Sequence, residues 1–316
     1  MRYLASLVLA ATLLAAPLFT APAKAAEKFT VILDWFVNPD HAPLIVAKEK
    51  GFFKEAGLDV ELIAPADPND PPKLVAAGKA DLAVSYQPQL HVQVGEGLPL
   101  MRVGTLVSTP LNSLVVLKNG PIQAIEDLKG KKIGFSVGGF ESALLNAMLQ
   151  RHGLTVKDVT LVNVNFSLSP SLIVGQVDAV IGAFRNFELN QMDIAGHPGQ
   201  AFYPEEEGVP PYDELILVAN KGKLSDKRLR PFLDALERGA QFLLNHPDES
   251  WKLFVAAHKE LDDELNKRAW RDTLPRFTHS PAALDTQRYS RFAAFLLKEG
   301  LIKKAQKVGD VAVELP

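Results

Sequence analysis

The sequence predicts an α/β protein of two similar lobes, each a mainly parallel sheet flanked by helices, with a cleft between them. Three observations lead there. First, a unit appears twice. Leu74-Val75-Ala76-Ala77-Gly78-Lys79-Ala80-Asp81-Leu82-Ala83-Val84-Ser85-Tyr86-Gln87 is matched by Leu172-Ile173-Val174-Gly175-Gln176-Val177-Asp178-Ala179-Val180-Ile181-Gly182-Ala183-Phe184. Each copy reads as a helix end, a glycine stop, a turn aspartate, a short apolar strand and a loop with an aromatic. Second, the match extends upstream. Val31-Ile32-Leu33 and Lys132-Ile133-Gly134-Phe135 both read as strands entering a loop, followed by a helix, a Gly-Leu pair (Gly57-Leu58, Gly153-Leu154) and another strand. Third, strands alternate with helices, which indicates parallel sheets with ligands beyond the carboxyl ends of the strands.

Taken in order, residues 1–26 read as an export signal. Arg2 gives a positive start, Leu4 to Phe19 is apolar with Pro17 inside it, and Ala23-Lys24-Ala25-Ala26 offers a small-x-small cleavage site near Ala25 or Ala26. The apolar run falls short of the ~20 residues that a membrane span needs. Phe29 to Leu33 is a strand, and Asp34 to Pro39 a loop of turn formers. A helical stretch from His41 to Ala56 carries Gly51 as an internal breaker. Asp59 to Ile63 is the second strand. Pro65 to Pro72 is a Pro/Asp-rich loop leading to the first copy of the repeat. Met101 to Leu106 and Leu114 to Leu117 read as strands joined by Ser108-Thr109-Pro110-Leu111-Asn112, a hinge crossing. Leu215 to Ala219 is a strand returning the chain to the first lobe, and helical periodicity follows from Lys227. The expected division is residues 27–110 plus 218–316 for one lobe and 111–217 for the other, with crossings near 110 and 215.

Composition narrows the function. The 316 residues, 47% of them hydrophobic, suffice for two cores. A net charge of −3 gives no basic face for nucleic acid, and no nucleic-acid partner is expected. The chain has no Cys, so an exported form folds without disulfides and has no cysteine for a lipid anchor. Such a protein would diffuse freely in a periplasm. No Gly-x-Ser-x-Gly or His-Glu-x-x-His occurs, and the seven histidines are scattered without metal-ligand spacing. No cofactor, metal site or catalytic residue is expected.

The loops at Asp34, Tyr86, Ser136 and Phe184 leave strand ends and should converge on the cleft. In Asp34-Trp35-Phe36-Val37-Asn38-Pro39-Asp40-His41, Trp35 offers a flat stacking surface, and Asn38 and His41 offer directional hydrogen bonds. The residues equally fit a core tryptophan, an Asn-Pro turn and a helix-start histidine. Ser136-Val137-Gly138-Gly139-Phe140-Glu141-Ser142 precedes a helix, so its backbone N–H groups suit a polar ligand head, or it is a plain tight turn. In Phe184-Arg185-Asn186-Phe187-Glu188, Glu188 either accepts N–H groups of a heterocycle in the cleft or pairs with Arg185 on the surface.

Leu33-Asp34-Trp35-x-x-Asn38-Pro39-x-His41, followed by Ile45-Val46-Ala47-Lys48-x-x-Gly51-x-Phe53-x-x-x-Gly57-Leu58-x-Val60, resembles the start of the pyrimidine-precursor-binding proteins. These are exported solute-binding subunits of ABC importers, related in fold to the fungal synthase of the thiamine pyrimidine. The resemblance runs from about Lys28 to Gly300 and implies a two-lobed, type II periplasmic-binding-protein fold. It implies that Trp35 stacks on the ligand, that Asn38 hydrogen-bonds beside it and that Glu188 grips an aminopyrimidine. Asn186 precedes Glu188 in an Asn-x-Glu pattern like the family's. His41, Tyr86, Gly138, Gly139 and Phe184 fall where ligand-lining loops belong. The implied ligand is a thiamine pyrimidine precursor such as formylaminopyrimidine or hydroxymethylpyrimidine, and the implied partners are an inner-membrane ABC permease and its ATPase. A monomer is expected. Alternatives are a riboflavin-binding protein, a nitrate-, sulfonate- or taurine-type binding protein, and a pyrimidine-synthase-like enzyme. The cysteine-rich, iron-associated run of the fungal enzyme has no counterpart here.

Overall fold

The computed structural model describes residues 25–316. The export-signal reading falls almost wholly on residues 1–24, which lie outside the described residues. Among the described residues, ten strands form two sheets: β1 Glu27–Ile32, β2 Leu58–Ile63, β3 Leu82–Ser85, β4 Leu100–Val107, β5 Asn112–Leu117, β6 Lys132–Phe135, β7 Thr160–Asn163, β8 Ala179–Phe184, β9 Gly199–Phe202 and β10 Leu215–Asn220. The first sheet has the order β2-β1-β3-β10-β4, and the second β7-β6-β8-β5-β9. In the first, β1 pairs parallel with β2 and β3, while β10 runs antiparallel to both β3 and β4. In the second, β6 pairs parallel with β7 and β8, while β5 runs antiparallel to β8 and β9. Each sheet therefore has four strands in one direction and one reversed. The reversed strand in each is the one that has just crossed from the other sheet. The duplicated order agrees with the duplicated sequence, and the architecture is the two-lobed α/β arrangement that the sequence predicts.

Buried β-branched and aromatic residues explain the central strands. Phe29 and Val31 of β1 point into one core with no exposed surface, and Ile32 points to the opposite face of the sheet. The stretch after His41 forms two pieces, Ala42–Glu49 and Phe52–Glu55, broken at Gly51 as the sequence indicated. The long helix Leu229–Asn245 packs on Ala42–Glu49 through Gly239, where a Cβ would stand 2.6 Å from Ala47 Cβ and 2.8 Å from the Pro43 carbonyl oxygen. That close approach brings Phe232 between Phe29 and Phe53, with ring centroids at 4.8 and 4.9 Å. Strand β9 escapes sequence reading because Gly199–Phe202 is a short, half-buried edge with one large apolar residue.

Two segments join the sheets, residues 108–111 between β4 and β5 and residues 203–214 between β9 and β10. Glu214 ties them together. Its Oε2 accepts the backbone N–H of Leu111 at 2.6 Å and of Asn112 at 2.9 Å. Nearby, fully buried Arg102 donates to the carbonyls of Pro281 and Ala282 and to Thr105 Oγ1. Thr105 Oγ1 donates in turn to Asp213 Oδ2 at 2.9 Å. An arginine with its donors satisfied in this way fastens the C-terminal helices to the first sheet.

Candidate binding site between the two sheets

A small, largely closed cavity of about 30 Å³ lies where the two sheets face each other. Asp34, Tyr86, Ser136 and Phe184, each at the end of a different strand, all line it. Trp35, Asn38 and Asp40 come from the loop after β1, and Val137, Phe140 and Glu141 from the loop and helix after β6. Leu168, Gly182, Phe187 and Glu188 complete the wall, in which no Lys or Arg takes part.

Trp35 is 9% exposed and sits edge-on to Phe166 in the loop after β7, with ring centroids at 4.5 Å. Its loop is shaped by local capping. Asn38 Oδ1 accepts the Asp40 N–H at 2.8 Å, and Asn38 Nδ2 donates to the Phe36 carbonyl at 3.1 Å. Asn38 thus reaches the cavity wall but spends its acceptor on the turn. His41 is fully buried behind the wall, not on it. Its Nε2 lies 2.9 Å from Asp34 Oδ1, and the Tyr86 hydroxyl donates to Asp34 Oδ2 at 2.8 Å. Both oxygens of Asp34 are therefore occupied, and the pair holds the Tyr86 ring, which stacks on Phe140 at 5.1 Å. Burial and the Asp34 carboxylate push the Tyr86 phenol well above its usual range.

Glu188 does not pair with Arg185. Arg185 forms a bidentate ion pair with Glu205 and lies over the Tyr203 ring. Glu188 points to the cavity instead, 7% exposed, with Oε2 accepting the Phe184 N–H at 2.6 Å. Burial pushes its carboxyl up to about 8, against the pull of the Phe184 N–H. Asp40 is raised to about 6 by burial, with His41 and Thr273 pulling the other way.

Besides His41, three residues expected at the ligand lie elsewhere. Gly138 and Gly139 are exposed and absent from the wall. The Gly138 N–H donates to Asn69 Oδ1 at 2.8 Å, and Asn69 Nδ2 donates to the Ser136 carbonyl at 3.2 Å, so the glycine loop meets the Pro/Asp-rich loop of the first sheet. Asn186 is buried at the rim. Its Nδ2 donates to Asp40 Oδ1 at 2.6 Å and to Thr273 Oγ1 at 2.7 Å. Beside it, Asn190 donates to Asp272 at 2.7 Å and Arg268 pairs with Asp193 at 2.7 Å. Both rims are thus joined across the cleft. The wall also takes in Asp40, Val137, Phe140, Glu141, Leu168, Gly182 and Phe187, which the sequence reading did not name as ligand residues. Asp40 and Glu141, carboxylates in the two loops singled out, carried a visible signal.

The chain matches the family described as NMT1/THI5 like over residues 38–250. It is 58% identical over 297 residues to a Haemophilus influenzae protein named for thiamine biosynthesis, covering 94% of this chain and 95% of that one. It is 33% identical to the formylaminopyrimidine-binding protein of Halalkalibacterium halodurans, with 79% and 77% covered. A 4-amino-5-hydroxymethyl-2-methylpyrimidine phosphate synthase of Uromyces fabae is 30% identical, with 77% and 74% covered. Among solved structures, the alkanesulfonate-binding protein SsuA of Xanthomonas axonopodis pv. citri superposes with a TM-score of 0.72 at 16% identity, covering 92% of this chain and 99% of that one. The SsuA of Escherichia coli superposes with a TM-score of 0.68 at 13% identity, with 92% and 93% covered. These two share the fold alone. The extent of the family match and the identity to the first two relatives make this chain a member of the NMT1/THI5-like family.

Proposed function

We propose that this chain is the solute-binding subunit of an ABC importer, exported to the periplasm, and that it captures a thiamine pyrimidine precursor such as formylaminopyrimidine or hydroxymethylpyrimidine. The observation that carries the reading is the pairing of Trp35 and Glu188 on one cavity wall that contains no Lys or Arg. A planar aminopyrimidine stacks on an indole, which adds about 0.5–1.5 kcal/mol beyond area burial. Its ring nitrogen and amino group match a carboxyl in either protonation state. A protonated acid donates to the ring nitrogen and accepts from the amino group, while an ionised one accepts two N–H groups from a ring protonated on binding.

A sulfonate or nitrate ligand is poorly served, because the cavity wall offers no Lys or Arg to balance its charge. Lobe closure supplies binding and water exclusion, and the ligand leaves unchanged to the permease. Support for a binding role over synthesis comes from the formylaminopyrimidine-binding relative. The test is calorimetry of the purified chain with both pyrimidines, followed by mass spectrometry of the released ligand. The expected result is a Kd of about 1 μM or lower and recovery of the pyrimidine intact. Absence of binding, or conversion of the pyrimidine, overturns the reading.

A further inference from the structure

The wall contains a second glutamate whose placement neither rim contact explains. Glu141 sits in the first turn of the helix Phe140–Arg151, and its side chain folds back toward β6. Oε2 accepts the backbone N–H of Ser136 at 2.9 Å and of Val137 at 3.1 Å. Oε1 accepts no hydrogen bond from the described residues. The opposing strand has made room for it. Gly182 of β8 has φ +96°, a conformation that favours glycine, and a Cβ there would stand 2.3 Å from Glu141 Oε1. Its N–H donates to Asn112 Oδ1 at 3.1 Å, next to the register shift between Ser113 and Leu114 in the β5–β8 pairing. Backbone conformation and space both demand glycine at the one point where a side chain would displace this carboxyl.

Glu188 repeats the arrangement, with Oε2 on the Phe184 N–H and Oε1 without a partner among the described residues. The two acids lie within electrostatic reach of each other: besides burial, Glu141 feels the charges of Glu214 and of Glu188, and Glu188 that of Asp40. One carboxyl suffices for an aminopyrimidine edge, so the second must meet another part of the ligand. Resting on the pyrimidine reading above, we propose that Glu141 is a specificity-determining residue that releases its proton to solvent on binding and, ionised in the complex, accepts an N–H or O–H donor on the exocyclic arm of the ring, so that the ligand class is an unphosphorylated aminopyrimidine with a donor-bearing arm. An apolar arm would leave a buried carboxyl oxygen unpaired, and a phosphate would meet a wall of acids without a cation.

The test is calorimetry of the wild type and Glu141→Gln with three probes. These are formylaminopyrimidine, the same aminopyrimidine with a plain methyl group in place of the arm, and phosphorylated hydroxymethylpyrimidine. In Glu141→Gln the amide oxygen must stay on the Ser136 and Val137 N–H groups, which turns an NH2 toward the arm. Expected is a loss of about tenfold or more for formylaminopyrimidine, with the methyl compound changed little. Equal loss for both, the mark of a merely structural role, overturns the proposal, as does no loss. The wild type alone gives a second measurement should the variant not fold, with the donor arm binding tightest and the phosphate weakest. Phosphate binding as tight as the neutral arm overturns the proposal. If the wild type binds no pyrimidine at all, the functional reading falls and takes this one with it. If it binds the pyrimidines but the variant is not selective, only the role of Glu141 falls.

Discussion

Asn186 Nδ2 lies 2.6 Å from Asp40 Oδ1, so a residue after the last strand of one repeat holds a residue after the first strand of the other. Asp40 is thereby shared between the rim, through this bond, and the cavity wall. Asn186→Ala is expected to speed ligand dissociation about tenfold while association changes little, because a lost closing contact acts mainly on the off-rate. Stopped-flow fluorescence of Trp35 would measure both. Asp40→Asn keeps an acceptor oxygen for Asn186 and should show the smaller effect. An Asn186→Ala protein with the wild-type off-rate would remove this contact from the closing mechanism.

Trp35 serves packing and stacking together, since it belongs to the core cluster around Val164 and Leu168. Trp35→Ala is therefore expected to destabilise the fold by about 3–5 kcal/mol and to lose ligand affinity. Trp35→Phe separates the two roles, retaining most stability and losing affinity several-fold in calorimetry. Glu188→Gln should weaken pyrimidine binding about tenfold with the fold intact. Wild-type affinity in both Trp35→Phe and Glu188→Gln would refute the site.

Stability of the ligand-free protein should fall as pH rises from 6.5 to 8. Glu141 and Glu188 are raised to about 8 and Glu214 to about 7, in each case chiefly by burial. A carboxyl with a raised pKa holds its proton in the folded state after the unfolded chain has lost it. Such a group stabilises below its unfolded value and loses that contribution as pH climbs to the folded one. His152, raised by its hydrogen bonds to Glu207 and Glu126, acts in the same direction. Buried His91 is depressed by burial to about 4, and its opposing effect fades between about pH 6.5 and 7.5 as the unfolded histidine loses its proton. Thermal melts should lose several degrees across this window, and Glu188→Gln should flatten the slope. A midpoint that rises with pH would contradict the assignment.

Gly239→Val tests the helix contact away from the cleft. Its Cβ would begin 2.6 Å from Ala47 Cβ, with backbone also in the way. Overpacking of this kind costs about 1–3 kcal/mol. Urea denaturation should show that loss, while the folded fraction binds ligand as the wild type does.

The repeat made the two sheets legible, because strand, glycine stop and turn aspartate are local signals. Tyr86, Phe184 and Glu188 were likewise visible as polar or aromatic residues at strand ends. The role of the glycine loop was not. Backbone donors at a helix start do suit an anion, but the Gly138 N–H is taken by Asn69, far away in sequence. Asn186 read as part of a binding triplet, yet its partners Asp40 and Thr273 are brought to it only by the packing of both lobes. Gly182 stood in plain view inside the second repeat copy, where an apolar strand gave no hint of a left-handed residue facing a carboxyl.

The bonds from Glu214 to Leu111 and Asn112 have a mechanical consequence. One carboxyl on the return connection grips two amides on the outgoing connection, so neither can twist without the other. A twist in one connection is thereby carried into the other, and the point where both chains cross between the sheets is held by one carboxyl.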